Sequence, residues 1–236
     1  QGAVELGRHT GRHIITTAYE HAAVLEPCKT LEQQGYEVTY LQPSREGTIA
    51  LDDLEAALRP DTILVSMMLV NNELGTVLPV AQAAQLVHQK SKALFHCDAV
   101  QGFLKVPFKL KTLGADLLTV SGHKIHAPKG VGALYIRRGV KLPPLTRGGG
   151  QENGLRPGTE ATAQIAAFTA AAAAGQATLE RDLTHMAALK EKTLHLLTTQ
   201  VPGLKQVGSG TAPHILAVTL PGDKSEVVVR FLSYQG

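Results

Sequence analysis

The chain has no tryptophan, only 4% aromatic residues, and two cysteines, Cys28 and Cys97, among its 236 residues. So few aromatics exclude the stacking platforms on which single-stranded nucleic acids lie. Two cysteines cannot build a disulfide framework and match no metal-ligand spacing, a usage that fits a reducing, cytoplasmic compartment. Long apolar runs are also missing. The longest, Ile63–Val70, is interrupted by Ser66, far short of the about 20 residues that a membrane helix needs. Charge of one sign is lacking too, because 23 Lys and Arg against 20 Asp and Glu leave +3. The basic residues are scattered, with Arg137-Arg138 the one tight doublet, so a nucleic-acid stripe is not expected. The first residues, Gln1-Gly2-Ala3-Val4-Glu5, carry neither an initiator methionine nor an apolar leader, and the chain reads as an internal piece of a longer protein.

What is present is a foldable composition. Hydrophobic residues make up 44% and charged residues 18%, which excludes disorder. Short β-branched runs at His13–Ala18, Tyr36–Leu41, Thr62–Val70, Ala93–Asp98, Ala115–Val120 and Gly132–Arg137 predict strands. Helices are predicted between them over Ala22–Gln34, Leu51–Leu58 and Val80–Gln89. In the last of these Val80, Ala83, Ala84 and Val87 share one helical face. Pro27 implies that the first helix starts near Glu26 or kinks there. Strand–helix alternation of this kind implies an α/β fold with a mainly parallel sheet covered on both faces. Ligands of such sheets bind at the carboxyl ends of the strands.

Prolines and glycines mark a long loop over 138–159. An alanine-rich helix follows from about Glu160, expected to bend or break near Gly175 and to resume to about Thr199. His214–Leu220 reads as a strand and Lys224–Leu232 as the start of another helix. The domain reading is residues 1–175 as a large unit and 176–236 as the start of a smaller one.

Three strand ends carry candidate chemistry. Ser121-Gly122-His123-Lys124 follows the strand Ala115–Val120, where a lysine is placed for a Schiff base and nearby glycines let a flat ring and a phosphate approach the backbone. Read alone, Lys124 is more commonly a surface lysine in a turn, and no Walker loop accompanies it. Asp98 ends another strand, in Phe95-His96-Cys97-Asp98. It could keep a pyridine nitrogen protonated, or simply cap a helix. His21 closes Thr16-Thr17-Ala18-Tyr19-Glu20-His21, as a proton carrier over a ring or as a structural histidine. Asn71-Asn72-Glu73 is a turn first and a ligand contact second. His96-x-Asp98 and His123-x-x-His126 lack a second cluster, so no metal is expected. Cys28 is read as core packing and Cys97 as an inert strand thiol.

The segments Ile14–Leu25, Thr62–Gly75, His96–Gln101, Ser121–Tyr135 and Gly148–Thr159 together resemble the class V aminotransferases, pyridoxal 5'-phosphate enzymes of fold type I. Within them the likeness is to the cysteine desulfurases of iron–sulfur-cluster assembly. The resemblance implies a three-layer, seven-stranded-type sheet, conversion of L-cysteine to L-alanine, and a homodimer that hands sulfur to an acceptor or iron–sulfur scaffold protein. It implies a cytoplasmic location, mitochondrial in a eukaryote, with no nucleic acid or membrane involved. Position by position, Lys124 matches the lysine that carries the cofactor and His21 the histidine stacked on its ring. Asp98 matches the pyridinium partner, Asn72 and Gln101 the contacts on the ring-oxygen side, and Ser121 and His123 the phosphate ligands. Thr159 matches a residue that reaches the phosphate of the partner subunit. Pro157 stands where the family usually has serine, and Cys97 where it has an aliphatic residue. The family's nucleophilic cysteine and substrate-binding arginine are expected beyond Gly236, and its first phosphate contacts before Gln1.

Overall fold

The computed structural model describes residues 1–222 and 224–235; Asp223 and Gly236, both inside the smaller predicted unit, lie outside the described residues. Each of the six predicted β-branched runs forms a strand: β1 (His13–Thr17), β2 (Glu37–Leu41), β3 (Thr62–Met68), β4 (Leu94–Asp98), β5 (Leu117–Ser121) and β6 (Gly132–Ile136). They make one sheet in the order β2-β1-β3-β4-β5-β6. The first five run parallel, and β6 pairs antiparallel with β5. β1 is buried along its whole length, which is why it reads as a continuous apolar and β-branched run rather than an alternating one.

Helices cover both faces, giving the expected three layers. On one face lie α1 (Gly2–Gly7) and α2 (Ala22–Gln33), whose Val4 and Leu31 pack on Ile14 and Ile63. On the other lie α3 (Leu51–Ala57) and α4 (Val80–Lys90). Val80, Ala83, Ala84 and Val87, the face predicted from spacing, meet Val65, Met67, Phe95 and Cys97 there. Burying each valine fully contributes about 1.5–3 kcal/mol. Gly35 follows α2 with φ +84, a left-handed turn into β2 that glycine adopts without strain.

Beyond a short α5 (Leu110–Leu113) come α6 (Thr162–Gln200), the two-residue strands β7 (Lys205–Gln206) and β8 (Val218–Thr219), and α7 (Ser225–Gln235). Three expectations are corrected here. Pro27 lies inside α2 without delaying its start, because His21 caps the helix and the proline forfeits a single backbone bond. α6 passes through Gly175 unbroken; a Cβ there would sit 2.8 Å from Leu104 Cδ1, so the glycine serves close packing rather than a break. The strand expected over His214–Leu220 is reduced to β8. Its preceding residues go to the core instead, with Ala212 fully buried and its N–H donating to the Gly75 carbonyl at 2.7 Å.

Candidate active site

The parallel strands β1, β3, β4 and β5 end on one rim, and the candidate residues follow those ends. β4 terminates in Asp98, which is 9% exposed. Its Oδ1 accepts the Val100 N–H at 2.9 Å, so Asp98 closes a turn into Gln101 and caps no helix. Burial holds its carboxyl above the usual range, opposed by that amide bond and by His21. A buried carboxylate with one oxygen still available pairs best with a cationic donor.

His21 reaches this pair from β1. It is the N-cap of α2, and its Nδ1 accepts the Ala23 N–H at 3.1 Å. The cap fixes the ring's orientation and leaves Nε2 as the nitrogen facing outward, with the ring exposed. Asn71 is buried and structural: its Nδ2 donates to the Tyr19 carbonyl at 3.0 Å, and its Oδ1 accepts from the Leu74 N–H at 2.8 Å. Asn72, the next residue, is half-buried at the end of β3.

β5 ends in Ser121, whose hydroxyl is hydrogen-bonded to His123 Nδ1 at 2.7 Å. The tight turn Gly122–Ile125 carries His123 and Lys124, both exposed. Gly122 makes that turn possible, because a Cβ would sit 2.9 Å from the Val131 side chain. The fold thus brings His21, Asn72, Asp98, Gln101, Ser121, His123 and Lys124 to one rim. Thr159 stands apart, exposed on the loop that leads into α6.

Both cysteines are buried. Cys97 is fully buried with its thiol pushed well up, and burial pushes the Cys28 thiol up to about 11. His96 is committed to Ser66 Oγ at 2.8 Å and Thr119 Oγ1 at 3.3 Å, and burial pushes it down to about 4. Two further groups escaped the sequence reading. Glu20 is buried beneath the His21 turn, with Oε1 accepting from Thr17 Oγ1 at 2.8 Å and from the Met68 N–H at 2.7 Å. The Thr17-x-x-Glu20 spacing was its only trace. His214 is partly buried with Lys105 and Lys190 nearby, and burial first and then these cations push it down to about 4, against a bond to the Gln101 backbone. No sequence signal marked it.

Residues 3–236 match the aminotransferase class-V family. The chain belongs to that family. Its class-V relatives include cysteine desulfurase 2 of Trichormus variabilis, 50% identical over 201 residues, which cover 85% of this chain and 50% of the relative. Another is the cysteine desulfurase IscS of Vibrio atlanticus, 44% identical over 196 residues, covering 82% of this chain and 48% of the relative. The chain spans about half the length of the curated relatives it matches. A solved NifS-like protein superposes with TM-score 0.95 at 38% identity, over 100% of this chain and 65% of that one. DndA from Streptomyces lividans does so with TM-score 0.88 at 39% identity, over 99% of this chain and 67% of that one. Class-V aminotransferases and cysteine desulfurases depend on pyridoxal phosphate.

The donors on the rim suit such a group. A phosphate needs neutral or cationic donors, which Ser121 and His123 supply together at the end of β5. A protonated ring nitrogen needs a buried carboxylate, and Asp98 is buried at the end of the neighbouring strand. An aldehyde needs an amine, and Lys124 is exposed beside the phosphate donors.

Proposed function

We propose that this rim binds pyridoxal 5'-phosphate and that the protein is a cysteine desulfurase, converting L-cysteine to L-alanine and passing sulfur on as a protein persulfide. The observation that carries the reading is the buried Asp98 with His21 beside it, one strand away from the Ser121–His123 pair and Lys124. The bound cofactor supplies an electron sink for the pair of electrons left at the substrate's α-carbon. This chain's residues do the rest. Lys124 Nζ would hold the cofactor and would be the amine placed to move the proton at the substrate's α-carbon. His21 carries a proton on Nε2, since Nδ1 is occupied by the Ala23 N–H. Asp98 Oδ2 would keep the ring nitrogen protonated, Oδ1 being bound to the Val100 N–H. Ser121 and His123 would hold the phosphate, and Asn72 and Gln101 would orient the ring-oxygen edge.

The same reading proposes a homodimer in which Thr159 reaches the partner's phosphate, with an iron–sulfur scaffold or another acceptor protein receiving the sulfur. It places a large cofactor-binding unit at 1–175 and a smaller one from 176, and it places the protein in the cytoplasm, or the mitochondrion of a eukaryote. No described helix is long and apolar enough to cross a membrane.

The test loads the full-length protein with pyridoxal phosphate, supplies L-cysteine and a thiol reductant, and measures alanine and sulfide. Equal amounts of both are expected. Turnover restricted to selenocysteine, or amino-group transfer to a keto acid, replaces the reading with another class-V reaction. Borohydride reduction should fix the cofactor to wild-type protein and leave Lys124→Ala unlabelled; a label mapped to another lysine refutes the assignment.

A further inference from the structure

A buried ionisable group, Glu20, touches the rim without a part in the proposed chemistry. Glu20 is 4% exposed and lies between the end of β1 and the end of β3. Both of its hydrogen bonds go to one oxygen: Oε1 accepts from Thr17 Oγ1 at 2.8 Å and from the Met68 N–H at 2.7 Å. Oε2 is buried with no partner. Met68 is register-paired with Asp98, so Glu20 grips the backbone directly across from the candidate ring-nitrogen acceptor. The residue after Glu20 is His21.

We propose that Glu20 is a positioning residue, which clamps the His21 turn onto β3 beside Asp98 and does so as an un-ionised carboxylic acid whose proton sits on Oε2. The proposal rests on the cofactor reading only in its consequence for the site.

The geometry requires both halves. Ala18, Tyr19 and Glu20 form the turn between β1 and His21. On one side the Ala18 N–H donates to the Leu41 carbonyl at 2.9 Å and the Tyr19 hydroxyl to the Gly47 carbonyl; toward β3 the turn is tied by Glu20 Oε1, which accepts the Met68 N–H, and by Asn71 Nδ2, which donates to the Tyr19 carbonyl. Without the Glu20–Met68 bond, the tie toward β3 among these is Asn71 alone. The donors on Oε1 leave Oε2 as the site for a proton. An ionised Glu20 would put an uncompensated charge on a buried oxygen without a donor. Its charged neighbour is Asp98, of like sign. Tyr19, on the same turn, Cys28 on α2 and Cys97 on β4 also face its charge, and all three are held protonated. His21 acts on Asp98 from the same turn. Burial accordingly raises Glu20 to about 8. An un-ionised Glu20 leaves Asp98 as the negative charge of the pair.

Three readouts on wild type, Glu20→Gln and Glu20→Ala test this, two of them without cofactor. Infrared titration of the apoprotein should show the carbonyl band of an un-ionised carboxylic acid at pH 7, fading with a midpoint near 8 and missing from Glu20→Gln. A wild type without that band at pH 7, or a band that survives in Glu20→Gln, refutes the protonated acid. The His21 ring resonances should move in Glu20→Ala and return in Glu20→Gln, which keeps the accepting oxygen. Unmoved resonances in Glu20→Ala, or equal displacement in both variants, refute the clamp. Pyridoxal phosphate affinity should fall about tenfold or more in Glu20→Ala and recover in Glu20→Gln, and an unchanged affinity in Glu20→Ala refutes the link to the site. Should Glu20→Ala not fold, the Gln variant decides alone: displaced His21 resonances there overturn the clamp, and unchanged ones support it. If wild type binds no pyridoxal phosphate, the cofactor reading fails while the first two readouts still judge Glu20.

Discussion

At the scale of single residues, the site depends on where protons reside. Asp98 has one oxygen bound to the Val100 N–H and the other available. A charge-assisted bond from a ring nitrogen to that oxygen contributes about 1.5–3 kcal/mol. Asp98→Ala in the loaded protein should therefore slow L-cysteine turnover by at least about tenfold to a hundredfold, since about 1.4 kcal/mol is a factor of ten. A wild-type rate would return Asp98 to the role of a turn residue. Glu20 gives a pH prediction of definite sign. Its ordinary value is 4.5 and burial raises it to about 8, so the folded state favours the neutral form. Its contribution to stability is complete below about 4.5 and is lost as pH rises through about 8. Glu20→Gln abolishes that loss, so thermal melting of the two proteins should run in parallel at acid pH, diverge in favour of the variant as pH rises from about 4.5, and be fully separated by about 8. Parallel curves across the range would show that Glu20 does not titrate in the folded protein. The strand-end positions of Asp98 and Lys124 were legible in the sequence because Asp98 closes the apolar-rich run of β4 and Lys124 lies in the turn straight after β5. Glu20 was not, because its importance comes from Met68, 48 positions away.

The elements are joined at the opposite end of the sheet by one side chain. Asp116, fully buried just before β5, accepts from the Phe95 N–H at 2.7 Å and from His88 Nε2 at 2.9 Å, and Arg137 lies 2.6 Å from its other oxygen. These contacts bind α4, β4 and the residue after β6 to a single carboxylate. Asp116→Ala leaves the buried Phe95 N–H without its acceptor, while His88 and the half-exposed Arg137 lose a partner but keep access to water. We expect a loss of about 1–3 kcal/mol in chemical denaturation; a loss under about 1 kcal/mol would mean that water replaces the carboxylate. Element types followed from periodicity, and α4 matched its predicted face residue for residue. Gly175 misled as to a helix break and Pro27 as to a helix start, because both are local breakers whose cost is outweighed by what surrounds them. Leu104 packs closely against Gly175, and the His21 cap starts α2 ahead of Pro27. Such neighbours are remote in sequence, so no window of residues contains them.

The whole molecule makes a prediction of its own. Sulfur transfer needs a thiolate that can reach the substrate, with reacting atoms about 3–3.5 Å apart. The two cysteines of this chain are both buried, with thiols raised above their ordinary value. Residues 1–236 supplied with pyridoxal phosphate and L-cysteine should therefore release no sulfide beyond the free-cofactor background. Chain-dependent sulfide that disappears in Cys97→Ser would make Cys97 a nucleophile after all. The sheet order also carries a timetable. After β1 and β2, strands β3, β4 and β5 are added outward in the order in which they occur along the chain. A chain emerging from the ribosome can thus lay down the His21 turn, then the Asp98 acceptor, and last the Ser121–Lys124 turn. Lys124, the proposed anchor of the cofactor, comes last of these three turns, so a partly synthesised chain presents the proposed ring-nitrogen acceptor before it carries the amine proposed to capture the aldehyde.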